Sequence, residues 1–149
     1  MVPPSVIVLK KESYLAMIRN TIGTHAYRTL FALVDGKKQD ILRDGDLSCA
    51  FFVSSVLLEF SLVKSVHGTV DGTVEDMKSS GWKRIKSPRQ GCVIVWEPLP
   101  EKNGESHKHI GFYIGKGKAV SNDSKKGSPK IHPYNNRKIN AFYWNAKLK

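Results

Sequence analysis

The apolar residues of this chain change their spacing half-way along, and that change is the strongest constraint on its fold. From Glu12 to Ile22, the residues Tyr14, Leu15, Ile18 and Ile22 recur at helical spacing, with Gly23 placed to stop a helix. Between Cys49 and Val63, the side chains of Phe52, Val53, Val56, Leu57 and Phe60 fall on one side of a second helix, which reads as buried and central. Past the middle, strand-like runs take over at Val93 to Trp96, His109 to Ile114, Ala119 to Ser121 and Ile139 to Trp144. Helices first and strands after predict an α+β fold, with an antiparallel sheet packed on the Cys49 helix.

Shorter signals fill the gaps. Asp35-Gly36, inside the stretch Leu30 to Leu42, marks a hairpin or tight turn. Thr73-Val-Glu-Asp76 has the form of a capping box opening a short helix that Gly81 would end. Ser48 is placed to cap the central helix, which puts Cys49 in its first turn. The polar links Glu97 to His107 and Asn122 to Asn136 read as loops. At 149 residues the whole chain, 1–149, is expected to form a single domain, burying roughly two thirds of its unfolded surface.

Charge narrows the partners. Twenty-four Lys and Arg against 13 Asp and Glu leave a net charge of +11. Lys116 to Lys149 carries nine basic residues and one acid, Asp123. This region is either a solvated face or a surface for something anionic, such as cell-wall polymer or phospholipid. No base-reading motif accompanies it, so nucleic acid is not the expected partner. Met1 to Lys11 lacks the basic start and the length of a secretory segment, and the longest apolar run is too short to span a membrane. A soluble monomer is expected, cytoplasmic or exported without a leader. Two cysteines, Cys49 and Cys92, are too few for a disulfide scaffold, although they could pair once.

Cys49 and His109 carry the chemistry. A cysteine at a helix start meets unsatisfied amides and the positive end of the helix dipole, both of which favour the thiolate, the nucleophilic form. His109 opens the run His-Ile-Gly-Phe-Tyr-Ile-Gly, where Gly111 removes a side chain on the same strand face and would leave room beside the imidazole. Taken singly, Cys49 is more readily a packed core cysteine and His109 a surface or satisfied core histidine.

Together they resemble a family. Ser48-Cys-Ala-Phe-Phe-Val-Ser54 is similar to the nucleophile motif Asp-Cys-Ser-Gly-Phe-Val of NlpC/P60 peptidases. Pro88-Arg-Gln-Gly-Cys-Val-Ile-Val-Trp96 resembles the Pro-Gly-Asp-Leu-Val strand that NlpC/P60 and CHAP domains share, with Cys92 at the Asp position. His109-Ile-Gly-Phe-Tyr-Ile-Gly115 is similar to the family's His-Val-Gly-Ile-Tyr-Leu-Gly, and the likeness spans about residues 44–122. The resemblance implies a papain-like fold and a cysteine peptidase or amidase acting on bacterial cell-wall peptides through a thioester, without cofactor or metal. Cys49 would be the nucleophile and His109 its base. The family's third polar residue, twelve positions after the base, falls on Ser121, across a turn at Lys116-Gly117. Asn122 would serve instead if a one-residue bulge turned it to the same face, and Asp123 is a more distant third choice. The family's upstream active-site Tyr has only Tyr27 as a distant counterpart.

Three rivals stand beside this reading. Permuted lipid acyltransferases carry a similar histidine motif, but it precedes their cysteine. A zinc site could draw on His107, His109, Cys49, Cys92 and His132, although their spacing fits no compact motif. A non-catalytic papain-like module holding an anionic polymer would fit the drift of the residues around Cys49, and a Cys49–Cys92 disulfide would favour it.

Overall fold

The computed structural model describes residues 1–100, Pro100 by its backbone alone, and 104–149. The chain runs α1 (Lys10–Asn20), β1 (Phe31–Val34), β2 (Lys37–Asp40), α2 (Cys49–Glu59), α3 (Val70–Ser79), β3 (Trp82–Ile85), β4 (Val93–Pro100), β5 (Ser106–Gly115), β6 (Lys118–Asp123), β7 (Ser128–Pro133) and β8 (Ile139–Asn145), then a single 3-10 turn, Ala146–Leu148. The last six strands form one antiparallel sheet in the order β3-β8-β4-β5-β6-β7. β1 and β2 form a separate hairpin, turned by Asp35 and Gly36 at φ 50° and 77°. The α+β class and the antiparallel sheet expected from the change of period are both present.

The central helix packs as its spacing requires. Phe52, Val53, Val56 and Leu57 are all buried, and α2 lies across β5 and β6. Phe112 of β5 sits at the centre of this contact, edge-on to Phe52 at 5.4 Å and to Tyr14 of α1 at 5.7 Å. Aromatic pairs of this geometry contribute about 0.5–1.5 kcal/mol each beyond the area they bury. Tyr14 also donates its hydroxyl to the Gly91 carbonyl at 2.9 Å, which fixes α1 to the start of β4.

Several expected boundaries move, each for a local reason. α1 begins two residues before Glu12 and ends before Ile22, which is left 37% exposed. α2 stops at Glu59 rather than Val63, because Ser61 takes a left-handed φ of 56° and the Leu62 amide turns back to the Leu57 carbonyl. The short helix opens at Thr69, whose hydroxyl accepts from the Gly72 amide. Thr73, expected as the cap, is a buried residue inside that helix. Gly81 does follow the helix end, at φ 93°.

The larger correction concerns the two links. The stretch Asn122 to Asn136 is not a loop, since it contains β7, paired with β6 from Lys118↔Pro133 to Asp123↔Ser128. β3 was likewise not anticipated. Between Glu97 and His107, β4 runs on to Pro100 and β5 starts at Ser106, while Glu101, Lys102 and Asn103 lie outside the described residues.

Candidate active site

Cys49 is the first residue of α2, and His109 lies on β5. Both line an open cleft of about 1240 Å³ that also includes Trp96, Ser121, His132 and Arg137. Among the described residues no helix is long and apolar enough to cross a membrane. Both cysteines are free thiols, and Cys92 is buried in the core.

The register of β5 against β6 decides which neighbour reaches the base. Gly111 pairs with Ser121, and the only irregularity lies further on, between Tyr113 and Gly115. Without a bulge, Ser121 stays on the face of His109, and its Oγ lies 2.9 Å from His109 Nε2. Asn122 points the other way. Its Nδ2 donates to the Gly45 carbonyl at 2.8 Å and its Oδ1 is buried without a partner, so it does not orient the imidazole. Asp123 pairs with Lys130 at 3.5 Å. Tyr27 packs against Phe51 and Phe52 and does not line the cleft.

Gly111 serves a purpose other than the one expected. A Cβ there would lie 2.7 Å from the Val120 carbonyl oxygen, 2.8 Å from Ser121 Cβ and 3.0 Å from the Trp96 ring. The bare position leaves no vacancy beside His109; it lets Trp96 and Ser121 close in. The Trp96 ring lies against His109, with centroids 5.3 Å apart, and against His132 at 5.6 Å.

His132, which the sequence offered only as a possible member of the rival zinc site, is the residue of this cleft that the sequence did not connect with His109. It stands on β7, with Nε2 2.7 Å from Ser121 Oγ and Nδ1 2.8 Å from the Pro133 carbonyl oxygen. No three of the described His, Cys, Asp and Glu residues are grouped to hold a metal ion. Among the proposed ligands, His107 pairs with Glu105 at 3.0 Å and Cys92 is in the core. The signal for β7 was present in Ser128-Pro129 and His132-Pro133, since a residue before proline is biased towards extended backbone.

Electrostatics also depart from expectation. Burial raises the Cys49 thiol, and the backbone N–H groups of Ile110, Ala50 and Cys49 itself, with the Arg137 charge, only partly oppose it. Ser48 does not cap the helix: it adopts helical backbone angles, and its buried hydroxyl has no partner. Burial, then the charges of Arg137 and His132, push His109 down to about 3. The resting pair is therefore a neutral thiol and a neutral imidazole, because desolvation outweighs the helix terminus.

The segment entering Cys49 is seated on the far hairpin. Gly45 (φ 95°) and Gly127 (φ 63°), the latter in the turn between β6 and β7, approach so closely that a Cβ on Gly45 would overlap Gly127 Cα. Asn122 bonds the same loop at Gly45, and Arg28 ties down Asp44 at 3.1 Å.

No protein-family model matches this chain, and a search of curated proteins returns no match.

Proposed function

We propose that this protein is a cysteine hydrolase of the NlpC/P60 type with a papain-like fold, cleaving amide bonds in bacterial cell-wall peptides. One observation carries the reading: a helix-start cysteine and a strand histidine share a cleft, and the histidine's far nitrogen is held by Ser121, the residue twelve positions on.

The chemistry starts from the neutral pair. As the sulfur attacks the amide carbonyl carbon, the Cys49 proton passes to His109, which acts as general base. The negative charge on the carbonyl oxygen meets the backbone N–H of Cys49 at the start of α2; a donor of this kind typically supplies about 3 kcal/mol to the transition state. The imidazolium then gives its proton to the leaving amine, and a thioester remains. His109, neutral again, takes a proton from water as the water oxygen attacks the thioester carbonyl carbon; the C–S bond breaks, the acid is released, and the imidazolium returns its proton to the sulfur, restoring the thiol. The Ile110 amide and Arg137 charge, which favour negative sulfur at rest, act in the same sense while sulfur charge develops.

Digestion of purified sacculi, with products identified by mass spectrometry, tests this. Soluble stem-peptide fragments are expected from the native protein and not from Cys49→Ala. No release above that variant would overturn wall hydrolysis.

A second reading, a non-catalytic module for an anionic polymer, is favoured by the raised thiol of Cys49 and by the net charge of +11. Salt-sensitive binding to wall polymer, equal in the native protein and Cys49→Ala and without cleavage, would support it.

A further inference from the structure

His132 has no part in the acyl transfer described above, yet its contacts fix the direction of every hydrogen bond leading to the base. Its Nδ1 lies 2.8 Å from the Pro133 carbonyl oxygen, which can only accept, so Nδ1 carries the proton. In a neutral ring this leaves Nε2 bare, and Ser121 Oγ is 2.7 Å away. A hydroxyl has one proton, and that proton must go to the bare nitrogen. Ser121 Oγ can then only accept from His109, 2.9 Å distant, so Nε2 of His109 is protonated and its Nδ1 is bare. No hydrogen bond among the described residues engages that Nδ1.

We infer that His132 is a positioning residue which, through Ser121, holds His109 in the Nε2–H tautomer and keeps Nδ1 free to take the Cys49 proton. The tautomer of a catalytic histidine is set by what its other nitrogen bonds. Three features make the arrangement rigid. Trp96 lies against both imidazoles, and its own Nε1 is anchored to the Tyr134 carbonyl at 2.8 Å. Ser121 is only 3% exposed, so water cannot readily replace its partners. Burial lowers both rings; at His132 the bond to the Pro133 carbonyl and the Asn136 side chain oppose that lowering, and the Lys130 charge adds to it. In the transfer, the Cys49 S–H bond breaks and the His109 Nδ1–H bond forms, while the Nε2 proton stays on Nε2, directed at Ser121.

This rests on the Cys49–His109 reading, but it is tested without turnover. Protein labelled with ¹⁵N in its histidine rings, assigned by single replacements, is examined by long-range ¹H–¹⁵N spectroscopy near neutral pH. The expected spectrum has His109 wholly as the Nε2–H tautomer and His132 wholly as Nδ1–H. In His132→Ala, His109 is expected to average between its two tautomers, and iodoacetamide labelling of Cys49 to slow several-fold. His132→Gln, whose side-chain oxygen can accept the Ser121 proton, restores both. An Nδ1–H His109 in the native protein, or a His109 unaltered in His132→Ala, overturns the inference. If His132→Ala does not fold, the native ring spectrum decides alone. A correct tautomer in a protein that cuts no amide overturns the function and leaves the relay standing.

Discussion

Ser121 Oγ lies 2.9 Å from His109 Nε2, and Gly111 makes that distance attainable by leaving its own side-chain position to Ser121 and Trp96. Base, hydroxyl and glycine form one packing unit across two strands, and each can be tested separately.

Ser121→Ala removes the acceptor of the His109 Nε2 proton and the donor to His132 together. A buried group left unpaired costs about 1–3 kcal/mol, so turnover is expected to fall roughly 10- to 100-fold. Comparison of kcat/KM with folded fraction checks this. An unaltered kcat/KM would remove Ser121 from the site.

Gly111→Ala introduces a Cβ with no space to occupy, 2.7 Å from backbone and 2.8 Å from Ser121. Overpacking of this kind typically costs about 1–3 kcal/mol. A lowered urea midpoint is expected, with activity lost beyond what the unfolded fraction explains, because Ser121 must move away from His109.

The pH behaviour follows from the neutral pair. A base whose pKa is lowered to about 3 stays in its active form far below the usual histidine range. The acid limb of kcat/KM is therefore expected well below pH 6, and a fall centred at 6–7 would contradict the buried imidazole. The raised thiol means that alkylation of Cys49 in the resting protein increases only in the alkaline range. Cys92, buried and pushed up to about 11, should label more slowly still.

Asp76 offers a stability test away from the cleft. Burial raises its carboxyl, but His67 at 2.7 Å, the Lys64 and Ser65 amides and the Ser80 hydroxyl hold it at about 2. A folded pKa below the unfolded one stabilises above the unfolded value near 4, and that contribution is lost as pH falls towards 2. The contribution is about 2 kcal/mol at neutral pH. Asp76→Asn should lower the urea midpoint at pH 7, and the difference from the native protein should shrink at pH 3. A gap that persists at pH 3 would show that the charge is not what stabilises.

How far the sequence could be read depended on how many partners each element has. α2 and β5 lie in the interior with neighbours on several sides, so their apolar spacing was legible, and with it Cys49 and His109. The offset from His109 to Ser121 came from the family resemblance, which left Asn122 beside it as an alternative; the tight hairpin at Lys116-Gly117, with both residues at positive φ, sets the register that puts Ser121 on the face of His109. β7 is paired on one side only and leaves Lys130 and Ile131 exposed, so Pro129 and Pro133 are tolerated and no apolar alternation marks it. His132 was hidden for that reason. The thiolate expectation failed at Cys49 because a sequence displays the helix terminus but not the depth at which the sulfur sits.

The close approach of Gly45 and Gly127 makes the edge hairpin a fuse for the whole site. β7 can peel from β6 by breaking a single ladder, an opening far less costly than unfolding the core. That one event would withdraw His132, loosen Ser121 and unseat the loop that delivers Cys49, while α2 and β5 remained folded. Heat inactivation should then follow amide exchange at Val120 and Ile131, and precede the loss of helical signal.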